Sequence, residues 1–181
     1  MTRKLCIFAS ILLVSCASLN RTPEHVIRGA KLRPVGGFQS LKHNSKELRM
    51  GFRNNGERWA IEAWVVNMAS LPSSVEEFKE NVKRNEIVFL EKETFEVLDY
   101  EIKEFKEKGD LATLSRWRAK DKNAEPKYSY LSAFELSCIH PNEKTLGYNV
   151  LVSRRTSSSE PDSSFEKLAM EVISSFTFIT P

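Results

Sequence analysis

Two stretches decide the fold: Leu146-Gly147-Tyr148-Asn149-Val150-Leu151-Val152-Ser153-Arg154-Arg155 and, after a serine-rich break with Pro161, Ser163 to Phe178. In the first, Tyr148, Val150 and Val152 alternate against neighbours that are polar except Leu151, the period of a strand with one face buried. In the second, Phe165, Leu168, Ala169, Val172, Ile173 and Phe176 recur at i, i+3, i+4 and i+7, which places them on one apolar stripe of a helix. Ser163-x-x-Glu166 reads as the capping box of that helix. A helix with one apolar stripe beside a strand with one apolar face needs a sheet to cover it, which points to an α+β class.

Working outward, Ser129 to His140 is a second strand, joined to the first through Pro141-Asn142-Glu143-Lys144, so the two are predicted to be antiparallel neighbours. Lys120 to Lys127, with Pro126, is a loop, and Leu111 to Ala119 before it is strand-like. From Ile87 to Phe105 two readings compete. Phe95, Leu98, Ile102 and Phe105 fit a helix, whereas Leu98, Tyr100 and Ile102 fit strand alternation; the turn chemistry of Lys108-Gly109-Asp110 favours a hairpin. Ser73-Ser74-Val75-Glu76-Glu77 offers overlapping capping boxes for a short helix with Val75, Phe78 and Val82 on one stripe, ending near Asn85. Further back, Glu47 to Phe52 and Trp59 to Met68 form a hairpin about Asn54-Asn55-Gly56. The expected domain runs over 34–181, and 16–33 reads as a tether.

The chain opens differently. Arg3 and Lys4 precede an apolar run from Leu5 to Val14, and about ten apolar residues cannot span a hydrocarbon core ~30 Å thick, so 1–15 reads as an export signal. Leu13-Val14-Ser15-Cys16 resembles the lipobox of bacterial lipoproteins. That resemblance implies cleavage after Ser15, lipid on the Cys16 thiol, and a membrane anchor that does not readily dissociate. Ala17, in place of the Asp that retains many enterobacterial lipoproteins at the inner membrane, favours the outer membrane.

The net charge of +3 includes Arg3 and Lys4, so the processed protein is nearly balanced, which argues against nucleic acid as a partner. With Cys6 in the signal and Cys16 lipidated, Cys138 is alone, and alternation turns it inward with Phe134 and Leu136 as a structural thiol. No metal-ligand cluster, nucleophile elbow, phosphate loop or dinucleotide fingerprint occurs, so no cofactor and no catalytic residue are assigned. His25, His43 and His140 are scattered, and Cys138 with His140 is too small a set for zinc. Asp99, Glu101 and Glu104 read as a solvated strand face. The one candidate binding set is Arg116, Trp117, Arg118, Arg154 and Arg155, which two strands would gather into a patch for an anionic glycan or lipid headgroup.

The order of hairpin, capped helix, antiparallel strands and a closing helix ending Ile173-Ser174-Ser175-Phe176-Thr177-Phe178 resembles the PsbP-like superfamily, which includes an extrinsic photosystem II subunit, an exchange-factor-like regulator and small bacterial lipoproteins. The resemblance implies an α/β/α sandwich, an antiparallel sheet with helices packed on its faces, and a binding or assembly role without family catalytic residues. The expected function is therefore a membrane-anchored envelope lipoprotein that binds or scaffolds an envelope partner, the alternative being a periplasmic, hydrolase-like enzyme.

Overall fold

The computed structural model describes residues 23–54, 56–92 and 95–179. The signal, Cys16 and the first part of the tether lie outside the described residues, as does Asn55 of the hairpin turn. In chain order the elements are β1 (His25–Ile27), β2 (Ala30–Leu32), β3 (Gln39–His43), β4 (Glu47–Asn54), β5 (Glu57–Asn67), α1 (Val75–Lys92) and β6 (Phe95–Glu104). There follow β7 (Ala112–Asp121), β8 (Tyr130–Ile139), β9 (Leu146–Thr156), α2 (Ser163–Ser175) and β10 (Thr177–Phe178).

Seven strands form one antiparallel sheet in the order β3-β4-β5-β9-β8-β7-β6, and β1-β2-β10 form a smaller one. The two clear strands of the sequence, β8 and β9, lie at its centre, with Leu136 opposite Val150 and Phe134 opposite Val152. Their even-numbered side chains join Ile61, Ala63 and Leu114 under Phe165, Ala169, Val172 and Ile173 of α2, the main core. The odd-numbered side chains face the other way, where Leu90 of α1 packs with Trp117, Ala119, Leu131 and Ala133. The helices thus cover opposite faces, as the α+β expectation required. Phe176 at the end of α2 is fully buried, with Tyr148 and Phe178 ring centroids 5.8 and 5.3 Å away.

Four sequence expectations need correction. Residues 25–32 are not tether: Ile27, Ala30 and Leu32 are fully buried, and Arg28-Gly29 turns β1 into β2 with both residues at positive φ. The first helix runs on to Lys92 because Leu90, eight residues after Val82, returns to the same face and finds a buried seat against the sheet. The cap of α2 is Asp162, whose carboxylate accepts from the Ser164 and Phe165 amides, and not Ser163 one residue later. His25 and His43, scattered in the sequence, are brought together on two strands with their rings edge to face at 5.1 Å. The hairpin of β6 and β7 forms as expected, through a short 3-10 turn at Lys106–Lys108. Lys108 Nζ donates to the Ser174 and Phe176 carbonyls, tying that turn to the negative end of the α2 dipole.

Candidate functional site

Cys138 is buried among Phe134 and Leu136, and burial pushes its thiol up to about 12, so it is a structural residue as expected. His140 is buried at the strand end, where Nδ1 accepts the amides of Asn142 and Glu143. Among the described residues no three potential ligands gather around a metal-sized point.

The arginine patch is not assembled. Strand alternation sends Arg116, Arg118 and Arg154 to the α2 face, while Trp117 and Arg155 go to the α1 face, so no guanidinium of the first group stacks on Trp117. The three on the α2 face are already engaged. Arg116 lies 3.1 Å from Glu101, and Arg118 donates to the Ser159 carbonyl at 2.8 Å with Asp99 3.7 Å away. Arg154 grips Glu57 in a two-pronged pair, bonds Asp162 as well, and lies over the Trp59 ring.

The open surface lies on the other face. Helix α1 covers β6 and β7 but not β5 and β9, and between helix and sheet runs a groove of about 970 Å³. Its apolar walls come from Trp64, Phe89, Phe95, Trp117, Leu131 and Leu151. Register arranges the floor in rows: Arg58 opposite Arg155, then Ala60 opposite Ser153, then Glu62 opposite Leu151, which is itself opposite Glu135. Arg155 holds Asp121 at 2.6 Å, whereas Arg58 stacks 3.8 Å over the Tyr128 ring and has no carboxylate partner among the described residues.

A smaller cavity of about 320 Å³, beside Met68 and Phe78, shares Asn85, Glu86, Glu135 and Asn149 with the groove, so two buried carboxyls stand where the spaces meet. Glu86 accepts from Tyr100 Oη at 2.5 Å and Ser115 Oγ at 2.6 Å. Glu135, only 8% exposed, makes no side-chain hydrogen bond among the described residues. Burial raises both carboxyls above the usual range; the two hydroxyl donors offset this at Glu86, while at Glu135 the charges of Glu86 and Glu62 add to it. Burial, and then the Glu86 carboxylate, push the Tyr100 phenol up strongly.

A carboxyl raised in the folded state binds its proton more tightly there than in the unfolded chain. Its contribution is therefore fully present below the ordinary carboxylate range and is lost as pH rises through the raised value. Wild-type stability should fall over that interval, and Glu135→Gln should flatten the slope; urea midpoints from pH 4 to 8 measure it, and an unchanged slope would refute a protonated Glu135.

Sequence reasoning missed this site. Its one visible signal was Glu135, a lone acid within Ala133-Phe134-Glu135-Leu136.

No protein-family model matches the chain, and no curated protein is significantly similar to it. Among solved structures, the solution structure of cyanobacterial PsbP (CyanoP) from Synechocystis sp. PCC 6803 is similar, with a TM-score of 0.50 and 10% sequence identity over 92% of this chain and 98% of that one. At that identity the likeness is one of fold: the body is a PsbP-like α+β sandwich.

Proposed function

We propose that the protein is a non-catalytic binding module of the bacterial envelope, lipid-anchored through Cys16, with the groove beneath α1 as its ligand seat. The observation that carries this reading is the groove itself, a concave, largely apolar space with a few convergent polar groups, the usual form of a small-molecule site. Of the five residues that the sequence offered as a binding patch, Trp117 and Arg155 belong to this seat. Arg116, Arg118 and Arg154 serve the fold. A groove-filling Ala60→Trp tests the seat: envelope small molecules that co-purify with the wild type, detected by mass spectrometry, should be lost with circular dichroism unchanged. Equal recovery by both proteins would remove the groove from consideration.

The anchor has its own test. No helix among the described residues is long and apolar enough to cross a membrane. Cys16→Ser should therefore abolish incorporation of radiolabelled palmitate and release the protein from the membrane fraction, since the acyl chains alone would supply the attachment. Label surviving the substitution would refute the lipobox reading. The paired Glu86 and Glu135 favour a second reading, a hydrolase-like enzyme, because two carboxyls of unequal acidity suit acid and base roles. Turnover of a co-purified ligand by the wild type but not by Glu135→Gln would establish that reading instead.

A further inference from the structure

We propose that the groove binds a short peptide with free termini, about four residues long, its ammonium at Glu135 and Glu86 and its carboxylate at Arg58. The inference rests on the groove being the ligand seat and adds the class of ligand. Buried polar groups in folded proteins nearly always have partners, so those that lack one call for a reason. Here two such groups, the Trp117 indole and Arg58 Nε, line the same groove. Glu135 lines it too and makes no side-chain hydrogen bond among the described residues, although it is only 8% exposed. The Trp117 indole N–H, on a residue 4% exposed, has no acceptor, and Arg58 Nε has none either.

Their placement selects the ligand. Arg58 and Arg155 form one row, and the Asp121 carboxylate pairs with Arg155 alone, which leaves that end of the groove one positive charge in excess. Glu62, Leu151 and Glu135 form another row, four residues further along β9, with Glu86 reaching in from α1; Glu62 is partly satisfied by Arg49 at 3.7 Å. At ~3.3 Å per residue the rows are about 13 Å apart, the length of an extended chain of about four residues. Trp117, on the row between, offers a donor where such a chain presents carbonyls. An ammonium beside Glu135 would also draw the proton from that carboxyl, because an opposite charge favours the ionised form.

The test uses the full chain and tetra-alanine, its N-acetyl form and its C-terminal amide, read by the indole N–H signals of Trp64 and Trp117 in nitrogen-15 spectra. Free tetra-alanine should shift the Trp117 signal, and either blocked form should bind at least about tenfold more weakly. Arg58→Gln should erase the difference between acid and amide, and Glu135→Gln the difference between free and acetylated amine. Equal binding of all three peptides, or discrimination untouched by both substitutions, would overturn the proposal. Indole, a neutral aromatic, separates the two claims. If indole shifts these signals and no peptide does, the groove stands as a seat and the peptide is wrong; if neither does, both readings fall.

Discussion

Replacing Phe176 with alanine should destabilise the protein by about 3–5 kcal/mol, the largest single loss expected from any side chain in the closing helix. The ring is fully buried where α2 hands over to β10, against Tyr148 and Phe178 in tilted and edge-to-face contact. Its removal forfeits transfer energy, leaves a cavity that rigid strands close poorly, and breaks aromatic contacts worth a further fraction each. Denaturant midpoints for Phe176→Ala and Ser163→Ala give the comparison. Because Asp162 holds the cap, Ser163→Ala should be nearly silent. A serine variant more damaged than the phenylalanine variant would show that α2 is not docked as described.

Arg154→Ala should cost about 2–4 kcal/mol, far more than the loss of an ordinary surface charge. Its side chain is 12% exposed and joins the β4-β5 hairpin to the start of α2 through Glu57 and Asp162, which are 32% and 28% exposed. Deletion would leave both carboxylates partly desolvated without their cation and uncover the Trp59 face. The guanidinium holds Glu57 below the usual carboxylate range; at Asp162 the Ser164 hydroxyl and amide do so first, then the Phe165 amide, with Arg154 adding the least. Groups depressed in the folded state contribute above their ordinary range and lose that contribution in acid, so the penalty should be full near pH 7 and shrink as pH falls through it. Arg154→Lys, which keeps the charge without the fork, should lie between. Urea titrations at pH 7 and pH 3 decide, and a penalty that does not vary with pH would show that the ion pairs contribute nothing.

The parts of this fold that could be read in advance are those where one period prevails. Tyr148, Val150 and Val152 recur at every second position, and Phe165 to Phe176 keep a single stripe, so β9 and α2 were legible from their residues alone. Ile87-Val88-Phe89-Leu90 is a continuous apolar run that suits either period, and only the seat of Leu90 against the sheet decides for helix. Strands of three residues such as Ala30–Leu32 are shorter than any window in which alternation can be detected. The arginine patch failed for a reason the sequence did contain: in a strand, Arg116, Trp117 and Arg118 must alternate between faces. The groove was hidden for a different reason. Glu86 lies on a helix and Glu135 on a strand, and only the packing of α1 on the sheet brings them together.

The small sheet joins β2, near the start of the described chain, to β10 at its end, with the Ile179 amide donating to the Gly29 carbonyl. In kinetic terms this is a clasp of very long loop closure, and the entropy of bringing such distant segments together is offset only once α2 has already docked. The seven-stranded sheet is built from neighbouring hairpins at every pairing but one, β5 with β9, whose partners are 79 to 97 residues apart against 146 to 148 in the clasp. The clasp is therefore the natural last step in folding and the first to open. A chain still emerging during synthesis would hold β1 and β2 without their β10 partner until Thr177 and Phe178 are free to pair.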